Sequence, residues 1–435
     1  MSSLALFGGK KIRERSFPAH NAIGQQEIDA VARVMRSGVL SRYLGAAHDN
    51  FMGGPEVRSF ERVFAQFVGA KHCVAVNSAT SGLICAAAAV GLGPGDEVIV
   101  PAITMAASAT AVLISNAVPV FVDIEPEYYC IDPEEVRKAI TKRTKAIVVV
   151  HWLGQAANMP EILKIAAEFD LAVIEDAAQA PMASVNGRRI GLFGDAAVFS
   201  LNYHKHIHTG EGGLVVTNDD EIFHRLTLVR NHGEAAEAGL DSSQWRGLLG
   251  YNFRLGEIEA AIGLRQLEKL PELLGKRLRN VAFIEDRLSD FSSDKGLSMP
   301  LVRPNSVHNY YTHAIKLDQQ SLGVSLHKFV EAIKAELPVT KLRENEGVLI
   351  GFGGAKPLYK LPIYQSGRAF NRGACSLTCP RYGGQTDYQR VCTTSEQVSS
   401  SLLVHELMHP FMTEPDLLDF VEAVKKVFNN RTDLS

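Results

Sequence analysis

The stretch Ser200-Leu-Asn-Tyr-His-Lys-His-Ile-His-Thr-Gly-Glu-Gly-Gly213 decides the reading of this chain. It sets Lys205 between the apolar run Ala196-Ala-Val-Phe-Ser200 and a Gly-Glu-Gly-Gly turn. Glycine permits the tight or left-handed conformations that such a turn needs. A lysine held on a glycine-shaped loop is a candidate Schiff-base nucleophile. Upstream, Val173-Ile-Glu-Asp-Ala-Ala-Gln-Ala180 is a second apolar strand that ends in carboxylates. Successive strand residues face opposite ways, so only one of Glu175 and Asp176 can meet a ligand of the lysine. An amine and a carboxylate at strand ends are two groups that pyridoxal phosphate requires. The amine binds the aldehyde, and the carboxylate keeps the pyridine nitrogen protonated.

The surroundings of that stretch predict an α/β fold. Val57 to Val68 has helical spacing with Phe60, Phe64 and Phe67 on one face. Cys73 to Asn77 is an apolar strand, Thr80 to Val90 a small-residue helix, and Leu92-Gly-Pro-Gly-Asp96 its stop. Glu97 to Pro101 is a strand, Met105 to Ser115 a helix, and Val118 to Asp123 a strand. Asp132-Pro-Glu-Glu opens a helix with an N-cap and a proline at the first position. Ala146 to His151, Leu171 to Glu175 and Ala196 to Ser200 are further strands. Strands this apolar, alternating with helices, imply a mainly parallel sheet covered on both faces. Ligands of such sheets collect beyond the carboxyl ends of the strands. The segments Asn77 to Ser81, Pro101 to Met105, Asp176 to Gln179 and Ser200 to Lys205 all fall there. Ser78-Ala-Thr-Ser81 opens a helix, where hydroxyls and free N–H groups form a phosphate cradle or a simple cap.

The chain has 435 residues, 46% hydrophobic and 21% charged, with a formal net charge of -3. That length carries a large core, and nothing in the charge favours nucleic acid or an anionic membrane. No apolar run approaches the roughly 20 residues that span a bilayer. The N-terminus lacks the order of a secretory signal, and six scattered cysteines make no disulfide framework, so a reducing cytoplasm is expected. Cys73, Cys85 and Cys130 lie in or beside apolar segments, Cys375 and Cys379 nearer a loop. After Pro271 the pattern changes to fewer alanines and more Pro, Ser and Gly, which predicts a second, α+β domain from about 273. Residues 342–396 are irregular and rich in Gly, Arg, Tyr and Thr, and loops that long are usually functional or mobile.

Other motifs have plainer readings. Lysines and aspartates are mostly solvated, capping or ion-paired groups. His204, His206 and His208 alternate on one face, but no cysteine or carboxylate joins them at metal-ligand spacing. His405-Glu-Leu-Met-His409 matches a zinc-hydrolase pattern, which works only on a helix. Pro410 follows at once and disfavours helical geometry at His409, so no metal is expected there.

Assembled, these residues resemble the DegT/DnrJ/EryC1/StrS sugar aminotransferase family. The resemblance runs from about Gly53 to Leu270. It is carried in order by Gly95-Asp-Glu-Val-Ile-Val-Pro101, Pro119-Val-Phe-Val-Asp123, Glu175-Asp-Ala-Ala-Gln179, Gly210-Glu-Gly-Gly213, Arg230-Asn-His-Gly233 and Gly250-Tyr-Asn-Phe-Arg254. It implies pyridoxal phosphate and fold type I: a mainly parallel seven-stranded sheet flanked by helices, plus a smaller C-terminal α+β domain. The matching division is an arm at 1–20, a large domain at 21–272 and a small domain at 273–435. By the resemblance, Lys205 would bind the cofactor aldehyde and move the proton. Asp176 would pair with the pyridine nitrogen and Gln179 would meet the ring hydroxyl. Thr80, Ser81 and Ser200 would hold the phosphate. Asn252 would reach the same phosphate from a partner subunit, which implies a homodimer with shared sites.

Three positions depart from the family pattern. Met105 stands where an aromatic usually covers the ring, Ala79 where the phosphate turn usually has glycine, and Leu201 where phenylalanine is usual. The resemblance implies amino transfer from glutamate or glutamine to a keto sugar, nucleotide-linked, in amino-sugar formation. A keto-cyclitol of the scyllo-inosose type is the alternative acceptor. Sugar dehydration is a further alternative, which the presence of Lys205 disfavours. His151, His308 and Tyr311 are either substrate contacts or packed groups.

Overall fold

Strands and helices alternate from residue 72 to 176, because each short apolar run ends in a turn or cap. The computed structural model describes residues 3–46, 48–233, 248–291, 295–339, 350–353, 355–366, 382, 384 and 387–434. The strands are β1 (His72–Val76), β2 (Glu97–Pro101), β3 (Val118–Val122), β4 (Thr144–Val150), β5 (Ala172–Asp176), β6 (Ser184–Val185), β7 (Arg188–Arg189), β8 (Ala196–Ser200) and β9 (Gly213–Thr217). Seven of them form one sheet in the order β1-β9-β8-β5-β4-β2-β3. The pairs from β8 through β5, β4 and β2 to β3 are parallel. β9 runs antiparallel to both β8 and β1. β9 lies beyond the strands expected from sequence, since its run Gly-Leu-Val-Val-Thr continues directly from a glycine turn.

Both faces of this sheet are buried, and strand alternation sorts the side chains between them. Helices α1 (Gln25–Ser37), α2 (Pro55–Val68), α3 (Ala79–Ala89), α4 (Ala107–Ile114), α5 (Pro133–Ala139), α6 (Met159–Phe169), α7 (Asp220–Arg230) and α8 (Glu257–Leu288) surround it. Cys73, Ala75 and Val173 pack with Phe60 and Phe64 of α2 and Ile162 of α6. Val74, Val76 and Ile174 pack on the other side with the small residues of α3 and α4. Gly82 shows how close α3 lies, because a Cβ there would sit 2.8 Å from Val198.

The second body has an antiparallel sheet in the order β10-β12-β14-β13. These strands are β10 (Leu297–Ser298), β12 (His313–Leu317), β13 (Ile350–Phe352) and β14 (Leu402–His405), while β11 (Ser306–Val307) pairs with β6 instead. Its core gathers Phe329, Ile333, Phe420 and Val424 with Leu4 and Phe17 from the N-terminus. α8 is one helix of 32 residues with Pro271 inside it, so residue 272 lies within a continuous helix. Leu358, Tyr364, Tyr388 and Val398 pack on the large sheet's core, beside Phe121. Cys73, Cys85, Cys130 and Cys392 are buried free thiols, and Cys375 and Cys379 lie outside the described residues. So does much of the irregular 342–396 segment.

Candidate active site

β4, β5 and β8 end side by side, and the carboxyl edge they share opens on a cavity of about 380 Å3. Its lining includes Ala79, Thr80, Met105, Asp176, Gln179, Ser200 and Lys205, seven of the residues singled out from sequence. Ser81 stands one turn inside α3. It is buried, its Oγ donates to Asn77 Oδ1 at 2.6 Å, and its N–H donates to Ser78 Oγ at 3.0 Å. Asn252 is exposed and outside the lining of its own chain's cavity.

The two carboxylates of β5 separate as alternation requires. Asp176 faces the α3–α4 side, where Ser108 Oγ donates to Oδ2 at 2.7 Å and the Ala178 N–H donates to Oδ1 at 3.2 Å. Glu175 faces away, is fully buried, and accepts from the N–H groups of Gly191, Phe193 and Gly194. His151 completes its shell. The His151 Nδ1 accepts the Ala157 N–H at 3.1 Å, so its Nε2–H is the donor to Glu175 at 3.1 Å. These donors outweigh burial and hold the Glu175 carboxyl below the usual range. His151 is therefore a packed group beneath the site.

Gln179 is oriented by a backbone donor. Its Oε1 accepts the Leu153 N–H at 2.6 Å. A backbone N–H can only donate, so the Gln179 amide nitrogen is the side left to face a ligand. Leu153 itself has φ of +57°, in the left-handed region.

The lysine loop is braced from within. The N–H of Lys205 donates to Asn202 O at 2.9 Å, that of Leu201 to Gly212 O at 2.9 Å, and that of Tyr203 to Gly210 O at 2.9 Å. Asn202 Nδ2 donates to Glu211 Oε1 at 2.9 Å, and its Oδ1 accepts the His204 N–H at 3.2 Å. Lys205 Nζ sits 4.4 Å from the centroid of the Tyr311 ring. Tyr311 thus belongs to the cavity, whereas His308 is buried and stacked on Tyr310 at 4.0 Å. Burial drives the His308 pKa down to about 3.

This donor set fits pyridoxal phosphate. The N–H groups of Ala79 and Thr80 open α3 with no intrahelical acceptor, beside the hydroxyls of Ser78, Thr80 and Ser200. β9 passes so close beneath this cradle that a Cβ on Gly213 would lie 2.6 Å from the Ser78 carbonyl carbon. A carboxylate and an amine stand on the remaining wall. Met105 is 66% exposed and lines the cavity.

The remaining histidine motifs do not form a second site. His405 ends β14, and the residues after it turn rather than coil into a helix. Its Nδ1 accepts the Leu407 N–H at 3.2 Å, so Nε2–H donates to His313 Nδ1 at 2.8 Å. Among the described residues, no group of three or more His, Cys, Asp or Glu could hold a metal ion.

Sequence reasoning missed Ser108 and Glu211 and left Tyr311 undecided. Ser108 carried no signal beyond its place on the helix after Pro101-Ala-Ile-Thr-Met105. Glu211 was visible in the glycine turn but unassigned.

An aspartate at one strand end and a lysine on the loop after its neighbour, over the N-terminus of a helix, are the arrangement expected of a fold-type-I aminotransferase. Comparison with known proteins agrees. The family model described as the DegT/DnrJ/EryC1/StrS aminotransferase family matches residues 22–344, and the chain belongs to that family. L-glutamine:2-deoxy-scyllo-inosose aminotransferase of Micromonospora echinospora is 33% identical over 448 residues, covering 100% of both chains. GDP-perosamine synthase of Caulobacter vibrioides is 40% identical over 268 residues, 61% of this chain and 70% of the relative. A crystal structure of DesI in the presence of its TDP-sugar product superposes with a TM-score of 0.78 at 27% identity, covering 99% of this chain and 98% of that one.

Proposed function

We propose that this aminotransferase holds pyridoxal phosphate in the cavity and moves an amino group from glutamate or glutamine to a keto sugar or keto-cyclitol. The observation that carries the reading is the placement of Lys205, Asp176 and the α3 N-terminus around one cavity. Bound there, the cofactor supplies an aldehyde for the amine and a ring that takes up the electron pair left by proton removal. Lys205 Nζ would anchor the aldehyde carbon and would move the proton of the donor carbon. Asp176 holds a proton at the pyridine nitrogen, and Ser108 fixes the carboxylate that does so. Gln179 offers its amide N–H to the ring oxygen. Ala79, Thr80, Ser81 and Ser200 serve the phosphate, Ser81 by bracing the turn through Asn77. Met105 covers the ring by contact of its thioether.

A nucleotide-linked keto sugar is the leading acceptor and a keto-cyclitol the alternative, and near-full-length matches support each: DesI with its TDP-sugar product and a scyllo-inosose aminotransferase. A homodimer that brings Asn252 to the partner's phosphate fits its exposure here. We place the enzyme in the cytoplasm. Among the described residues no helix is long and apolar enough to cross a membrane.

The test is the visible spectrum of the cofactor-loaded protein before and after glutamate or glutamine, beside Lys205→Ala. Loss of the lysine-bound band on adding either donor, in wild type only, supports amino transfer. A wild type that never forms the band would sink the reading. Scyllo-inosose and nucleotide-linked keto sugars then compete as acceptors in the return half.

A further inference from the structure

Tyr311 lines the cavity on a segment tied to α8 and to the loops that carry Gln179 and Lys205. Asn309 is fully buried. Its N–H donates to Gly154 O at 3.1 Å, next to Leu153, which orients Gln179. Its Nδ2 donates to Pro181 O at 2.8 Å, two residues past Gln179. Its carbonyl accepts from His206 Nε2 at 3.2 Å, the neighbour of Lys205. From α8, the buried Arg277 Nη1 donates to the carbonyls of Tyr310 at 3.0 Å and Tyr311 at 3.2 Å. Tyr310 takes a φ of +50°, which turns the chain, and the His308 Nδ1 accepts the Tyr310 N–H at 2.9 Å. The fit leaves no slack. A Cβ on Gly154 would fall 1.9 Å from Asn309 Oδ1.

This anchoring sets the Lys205 Nζ over the Tyr311 ring, 4.4 Å from its centroid. The negative face of an aromatic ring attracts an ammonium group, more so away from water. Amino transfer needs such a place. In the proposed reaction Lys205 Nζ would be free of the cofactor while it takes a proton from the donor carbon and gives it back to a different atom. Between those events it is an ammonium that must stay near the reacting carbon.

We propose that Tyr311 is a further catalytic residue, whose ring face holds the Lys205 ammonium in place during the part of the cycle when the lysine is detached. The inference rests on the aminotransferase reading and concerns the ring face, not the hydroxyl. Tyr311 is also the residue by which the second body completes the site, since α8 and the 306–312 segment set its position.

The test replaces Tyr311 by Phe, by a trifluorinated phenylalanine of nearly the same shape but weaker negative face, and by Leu. Two quantities are read on the full-length chain: kcat of the cofactor-loaded enzyme, and the pH dependence of Lys205 acylation by acetic anhydride in the cofactor-free protein, followed by mass spectrometry. Phe keeps both close to wild type. The fluorinated ring and Leu lower kcat in that order, to about tenfold for Leu, and shift the acylation midpoint to lower pH in the same order. Equal loss in Phe and Leu would assign the role to the hydroxyl and overturn the proposal. So would an unchanged acylation midpoint in both Leu and the fluorinated variant. Failure of the underlying reading shows separately, as turnover that survives Lys205→Ala.

Discussion

The parallel strands β4, β5 and β8 end at one edge and deliver Asp176, Ser200 and the Lys205 loop to a single cavity. In the antiparallel sheet, β12 and β14 instead pair His313 with His405, edge to ring and buried. Parallel neighbours place all their carboxyl ends, and the helix N-termini that follow, on one side of the sheet. Antiparallel neighbours send successive ends to opposite sides. Titratable residues therefore line an open cavity at one sheet and form a packed hydrogen-bond chain in the other. The chain runs from His405 to His313 and on to Glu285 Oε1 at 3.1 Å.

Asp176→Ala is the strongest way to test that contrast. It should lower kcat by roughly a thousandfold or more while leaving the urea midpoint near wild type. A variant within tenfold of wild type would remove Asp176 from the chemistry.

Arg230 sharpens the contrast from the stability side. It is completely buried behind the site, and its Nη1 donates to Glu61 Oε1 at 2.5 Å and to Ala75 O at 3.2 Å. Arg230→Leu strands the Glu61 carboxylate and should cost about 3–5 kcal/mol in denaturant unfolding. A loss under about 1 kcal/mol would show that Glu61 simply takes a proton.

The histidines of the second body predict its response to acid. Burial pushes His405 well below its ordinary value and His308 to about 3. In the unfolded chain both take up protons near pH 6.5. The unfolded state therefore binds more protons below that pH, and stability falls as pH falls, by about 1.4 kcal/mol per pH unit for each histidine. Glu175, held low in the large sheet, loses its contribution only below the ordinary carboxyl range. His308→Asn should flatten the stability slope between pH 6 and 4.5 by one proton's worth. Urea titrations at several pH values read it directly, and an unchanged slope would mean that His308 is protonated in the folded state.

The smallest expected effect is that of Ser108→Ala. It removes the hydroxyl donor to Asp176 Oδ2 and should slow kcat by about tenfold without raising KM. Equal changes in both would mark Ser108 as a substrate contact.

Much of the large body was legible in sequence because its signals are local. The Asp132 cap with Pro133 behind it, the all-apolar run Val98–Val100 and the alternation at Glu175-Asp176 each need only a few residues of context. The glycine turn after Lys205 is equally local. β9 was missed where a turn and a strand share a glycine. His151 could not be decided either, because its partners Glu175 and Ala157 select a tautomer only once the chain is folded.

By itself, then, the sequence determined the alternating α/β pattern, the lysine and aspartate at strand ends, and the helix start that can cradle a phosphate. Period-two and helical spacing, caps and glycine turns are properties of short segments, so they survive reading in one dimension. Only the tertiary structure decided that Ser108 steadies Asp176 from 68 residues away, that Tyr311 crosses from the second body to Lys205, and that the His405–His409 motif lies in a strand and turn. Those contacts join residues far apart in the chain, and their partners are set by how helices and strands pack, a constraint that no local pattern records.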